Sequence, residues 1–192
     1  FYLGTSDQFH TGSYMLLEGA ENPYIMHLEN MYGYLNPRFV IFEDDYRRNV
    51  LFAHEPEEIQ SVKVTYPYKK EQSFELLRKE TGEFIVQHPE QKTPLLNASA
   101  AYINQYLTRY KMINFESYER TKSEGYLDSV LLQEPLFTLA VTDTASETVS
   151  ITGYRKPVKG DFTDLFGDSI DYDLDRLYGH INDEELVVIQ YY

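Results

Sequence analysis

Three short runs of alternating apolar residues, followed by one helical stripe, all within residues 59–113, constrain this chain more than any other feature. In residues 59–66, Val62, Val64 and Tyr66 fall on one side and Ser61, Lys63 and Thr65 on the other, the period of two of a half-buried strand. Residues 73–79 set Phe74 and Leu76 against Glu75, and residues 83–87 follow the turn signal Thr81-Gly82. Two adjacent hairpins are expected, a meander with one wet face. Over residues 97 to about 114, the residues Ile103, Tyr106, Leu107, Tyr110 and Ile113 or Asn114 keep the spacing of one helical stripe. Asn97 is placed to cap the first turn. Each large apolar residue buried on that stripe contributes roughly 1.5–3 kcal/mol, enough to offset the modest helix propensity of tyrosine. The pattern predicts a β-β-β-α unit whose helix packs on the dry face of its own meander.

Residues 1–3, 13–17 and 24–28 read as three strands parted by turn-forming segments, and residues 29–58 as irregular. After the central unit we expect a short helix around residues 127–132 and a hairpin of residues 136–142 and 148–154. An acidic loop over 156–174 and a closing pair of strands at 176–180 and 186–192 complete the chain. An internal echo organises this order: setting Tyr14 against Tyr178 brings Tyr24-Ile25 opposite Val188-Ile189. Residues 1–42 then read as the closing strands of a truncated first unit, and residues 43–192 as a complete second unit. The expected fold class is α+β, antiparallel meander sheets each packed by a helix, in tandem repeat-like units. Both ends are strand-like, so a cropped fragment is expected, and a missing signal peptide says nothing about location.

With 17 basic against 31 acidic residues, the chain carries a net charge of −14. Such a surface repels phosphate backbones, which argues against nucleic acid and anionic membranes as partners. Zero cysteines exclude disulfides, thiolate zinc sites and cysteine catalysis. No apolar run reaches the length of a membrane span. Tyrosine is abundant (18 residues) and tryptophan absent. That suits antiparallel pleats, where the ring lies on the sheet and the hydroxyl reaches water, better than a carbohydrate platform.

Several short motifs, Tyr2-Leu-Gly4, Gly12-Ser-Tyr-Met-Leu-Leu17, Pro23-Tyr24, Gly33-Tyr-Leu35 with Arg38-Phe39, Asp45-Tyr-Arg-Arg48, Ile59-Gln-Ser-Val62 and Asp175-Arg-Leu-Tyr178, run through nearly the whole chain. Together they resemble a bacterial envelope family known only as domain of unknown function 4340. The resemblance implies tandem α+β units, an N-terminal signal or lipid anchor and a periplasmic or cell-envelope location. It also implies other envelope proteins as partners, and some relatives are grouped with auxiliary parts of a transport system linked to gliding. The family brings no catalytic residues.

Two constellations are candidate sites. Asp171, Asp173 and Asp175 match the first three ligands of a calcium loop. Arg176 stands where the loop needs glycine and Asn182 where it needs a bidentate glutamate, which rules out the EF-hand version. A looser calcium site competes with the favoured reading, a solvated loop in which Asp175 and Arg176 pair locally. Asp45, Arg47 and Arg48, beside Glu43 and Asp44, form a knot able to grip a polar ligand through the planar arginine fork. The same knot can instead tie an irregular connection to a strand, the favoured alternative. His10, His27, His54, His88 and His180 show no helical or strand pairing that would make a metal or general-base site. No glycine run matches a dinucleotide or phosphate loop. Asn97-Ala-Ser99 fits a glycosylation acceptor, though the same asparagine is better used as a helix cap.

The functional expectation is therefore a non-enzymatic extracytoplasmic module for interaction or scaffolding, without cofactor. The alternatives are a small-ligand or glycan-binding module that uses exposed tyrosines with the Asp45, Arg47 and Arg48 knot in an open groove, and an Asp/Glu-dependent hydrolase, which needs two carboxylates facing across a cleft.

Overall fold

The computed structural model describes residues 1–30, 33–39, 43–95, 98–158, 160, 162–163 and 166–190. The chain divides into two compact units, Phe1–Arg48 and Asn49–Tyr192. Residues 43–48 thus belong with the first unit, where the sequence reading put the boundary after residue 42.

In the smaller unit, β1 (Tyr2–Ser6), β2 (Ser13–Leu16) and β3 (Tyr24–Met26) form a consecutive antiparallel meander. Polar groups close it. Asp7 is buried and its carboxylate accepts from the N–H groups of Phe9, Thr11 and Gly12 at 3.2, 2.6 and 2.9 Å and from the Thr11 hydroxyl at 3.0 Å. The Ser13 hydroxyl donates to Asn36 Oδ1 (2.6 Å) and accepts from the Leu35 N–H (2.7 Å), holding Leu35 and Asn36 to the sheet. Tyr24, Ile25 and Met26 are all exposed.

The larger unit contains β4 (Val50–Phe52), β5 (Ile59–Thr65), β6 (Phe74–Arg78), β7 (Phe84–Gln87), helix α1 (Ala100–Leu107), β8 (Ile113–Asn114), β9 (Ser117–Tyr118), helix α2 (Glu124–Leu131), β10 (Phe137–Asp143), β11 (Thr148–Pro157), β12 (Tyr172–Ile181) and β13 (Glu185–Gln190). Eight of these strands make one sheet in the order β7-β6-β5-β10-β11-β12-β13-β9, with every pairing antiparallel. The meander expected from residues 59–87 is present, and β5 joins it to a second meander, β10 to β13. Among the described residues the protein is thus mostly antiparallel sheet, with two short α-helices.

Alternation sorts the side chains. Val62 pairs with Leu76 and Val141, and Val64 with Leu139, which pairs with Ile151. These residues, with Ile103 and Leu107 of α1, Tyr110 and Phe52, form one core. Lys63, Glu75 and Gln87 lie side by side on the opposite face of the meander. There Glu75 accepts from Gln87 (2.7 Å) and from Lys92 (2.6 Å).

A second core holds Tyr154, Tyr178, Leu186 and Val188 under Val130 of α2. Neighbours in one strand, Val188 and Ile189, pack in different cores, and so do Tyr178 and Ile181, three residues apart. Odd separations in a strand point to opposite faces. The two helices therefore cover opposite faces of one sheet.

Helix α1 is shorter than the stripe predicts. Ser99, in extended backbone, precedes its first turn, while Asn97 lies outside the described residues. After Leu107 the chain tightens into a 3-10 turn, Thr108–Lys111, which keeps Tyr110 on the buried side. Met112 then turns extended, and Ile113 leaves the helical path to pair with Phe52. The expected acidic loop is shortened too, since β11 runs to Pro157 and β12 begins at Tyr172. β13 is described through Gln190; residues 191–192 of the predicted closing strand lie outside the described residues. Asn182 and Asp183, with φ of 50° and 57°, lead the three-residue connection 182–184 between β12 and β13, closed by the Glu184 N–H donating to the Ile181 carbonyl (2.9 Å).

Candidate functional site

Two glycines shape the α1-side face of the sheet. Gly153 pairs with Phe137 on one side and Gly179 on the other. A Cβ at Gly153 would lie 2.3 Å from Phe137 Cε1, and one at Gly179 would lie 2.6 Å from Ile151 Cδ1. The missing side chains let the Phe137 ring lie across the neighbouring strand, as glycine in a strand often permits close approach. Beside α1 this face opens into a groove of about 680 Å³, within the usual size for small-molecule sites. Val64, Phe137, Leu139 and Leu177 make its floor. Tyr66, Tyr68 and Tyr106 stand around them. Lys69 and Arg155 are the ionised side chains that line it, and no carboxylate does, among the described residues.

The tyrosine wall is held from behind. Tyr106 and Tyr110 share a hydrogen bond of 2.6 Å between their hydroxyls. Their rings meet edge-on at 5.5 Å, and edge-on contacts continue to Phe74 (5.8 Å) and Phe52 (5.5 Å). Burial pushes both phenols upward from their ordinary value, so they stay neutral donors. Tyr68 is largely exposed, and its bond to Glu134 raises its phenol as well. The Arg155 guanidinium lies 5.1 Å from the centre of the Tyr172 ring, a cation–π contact that steadies its head group.

Two other concavities serve structure. A cleft of about 540 Å³ beside the first turn of α1 includes Arg78, Glu57 and Glu83. Arg78 is used there to hold the backbone, donating to the carbonyls of Ile59 (2.8 Å) and Pro56 and covering the Phe84 ring. On the α2 side a smaller pocket of about 300 Å³ includes Glu119, Lys122, Lys156 and Tyr178. Glu119 is buried, which works to raise its carboxyl, but bonds from Thr121 and Tyr178 outweigh this and hold it below the ordinary range. That carboxylate is committed to its neighbours.

The sequence-predicted sites fall elsewhere. Arg47 lies 3.4 Å from Asp44 in the smaller unit, and Arg48 follows it in the same bend-rich segment. Asp45 closes the turn Glu43–Asp45, and its side chain lies outside the described residues. Neither Arg47 nor Arg48 is among the described residues that line the groove. Asp171, Asp173 and Asp175 do not converge as cation ligands. Asp171 precedes β12 and accepts from Ser169 (3.3 Å). Asp173 accepts from Lys156 (3.1 Å) and from the N–H groups of Asp175 and Arg176 (3.0 Å each). Asp175 is exposed in the strand. Among the described residues no three His, Asp or Glu side chains are grouped to hold a metal. The expected Asp175–Arg176 pair is also replaced, because Arg176 donates to both oxygens of Glu116 at 2.9 Å.

The groove residues Tyr68, Lys69, Phe137 and Arg155 are not singled out by the sequence, because they come from three separate stretches brought together by strand pairing. Gly153 and Gly179, each interrupting an alternating run, were the available signal. Comparison with protein-family models, curated proteins and solved structures finds no match to the chain.

Proposed function

We propose that this chain is a non-enzymatic binding module of the bacterial envelope, which receives a small ligand in the tyrosine-lined groove of its larger unit. The observation that carries the reading is the groove itself, an apolar floor walled by tyrosines with arginine and lysine at its mouth and no carboxylate among the described lining residues. Such a site can bind and orient a molecule, but it offers no acid–base pair for hydrolysis. The envelope location and other envelope proteins as partners rest on the motifs resembling domain of unknown function 4340. The same resemblance favours α+β units in tandem, with the smaller unit as the closing strands of an earlier copy. In support, β1–β2–β3 and β11–β12–β13 are both consecutive antiparallel meanders.

Saturation-transfer NMR against a fragment library of sugars, amines and carboxylic acids tests the proposal. Competing hits that are lost on Tyr68→Ala are expected. Turnover of any fragment, abolished by changing one carboxylate, would contradict it.

A further inference from the structure

The charge of the groove is opposite to that of the chain. Acidic residues outnumber basic ones by 31 to 17, yet the ionised side chains lining the groove are Lys69 and Arg155, with no acid among the described lining residues. Glu134, which is not among those lining residues, acts on the Tyr68 hydroxyl and raises its phenol. The floor below is aliphatic and aromatic, through Val64, Leu139, Leu177 and Phe137. Two cations at the mouth of an apolar floor complement a molecule with an anionic head and an apolar body. Ionised hydrogen bonds are the strong ones, and arginine's fork suits a carboxylate or sulfonate. The volume of about 680 Å³ suits a single small molecule. The net charge of −14 opposes approach to an anionic bilayer.

We infer that the groove selects a free, small organic anion whose aromatic or aliphatic body lies against Phe137 and the tyrosines and whose carboxylate or sulfonate meets Arg155 and Lys69. The inference rests on the groove being the binding site, as proposed above, and adds the class of its ligand.

Two dyes with one skeleton separate the claims. In 8-anilinonaphthalene-1-sulfonate a sulfonate is added to the body of N-phenyl-1-naphthylamine, and both report binding by fluorescence. The sulfonate should bind about tenfold more tightly than the neutral dye, the usual worth of one charge-assisted contact. Arg155→Gln with Lys69→Gln should remove that preference, weakening the sulfonate about tenfold more than the neutral dye. All three substituted residues, Tyr68 included, are exposed, so their variants keep the core intact. Equal affinity for the two dyes, with both weakened by Tyr68→Ala, would overturn the anion preference and leave the groove as the binding site. Dye binding indifferent to Tyr68, Arg155 and Lys69 alike would overturn both. Sedimentation with anionic phospholipid vesicles, without affinity for the free sulfonate, would overturn the inference in favour of a membrane headgroup.

Discussion

A methyl group added at Gly153 would stand 2.3 Å from the Phe137 ring, so Gly153→Ala must displace the groove floor. Overpacking of this kind costs about 1–3 kcal/mol, to be read as a lowered urea midpoint. Gly125, early in α2, has open space around its Cα. Gly125→Ala should therefore raise the midpoint by about 0.5–1 kcal/mol. A destabilised Gly125→Ala beside a neutral Gly153→Ala would reverse this assignment. Asp7 is a second residue with a readable consequence. The Gly12 N–H foremost, then the Thr11 hydroxyl and the N–H groups of Thr11 and Phe9, hold its carboxyl below the ordinary 3.8. A carboxyl depressed in the folded state contributes stability that is fully present above its unfolded value and is lost as pH falls through its folded value. The amide shifts of Thr11 and Gly12 should titrate with a midpoint below 3.8. A midpoint at or above that value would show that these bonds do not form in solution.

At the scale of elements, the alternating run 59–66 was legible because each side chain has one simple fate, dry or wet, and the pairing of Val62 with Leu76 and Val141 respects it. Helix α1 was legible in its anchors and not in its length. Ile103, Leu107 and Tyr110 are buried as the stripe predicts. Whether Tyr110 is reached by an α or a 3-10 turn leaves the stripe nearly unchanged, and the pairing of Ile113 with Phe52 is a contact between distant stretches that periodicity does not encode. The groove was hidden for the same reason. Its parts are local and ordinary, and only the strand order β5-β10-β11-β12 assembles them. The helix assignment yields its own test. Leu107→Ala should cost about 2–5 kcal/mol, while Tyr102→Ala, on the exposed side of the same helix, should change stability by less than about 0.5 kcal/mol. Similar losses at both positions would mean that α1 does not lie with this face inward.

For the whole molecule, the described residues of both apolar cores all belong to the larger unit. The buried polar residues of the smaller unit, Asp7 and Ser13, are satisfied within that unit. A chain reduced to residues 49–192 should therefore fold by itself, with a melting temperature within about 3 °C of the full chain, the shift that roughly 1 kcal/mol produces at this size. A fragment that unfolds or aggregates would show that the larger unit depends on residues 1–48.

The binding role is tested most directly by titrating 8-anilinonaphthalene-1-sulfonate into the uniformly ¹⁵N-labelled full chain and following every backbone amide. Saturable shifts concentrated at Tyr66, Tyr68, Lys69, Phe137 and Arg155, weakened together by Arg155→Gln, are the expected result. Shifts confined to strands β1 to β3 or to the cleft beside the first turn of α1, with the groove amides unmoved, would contradict it.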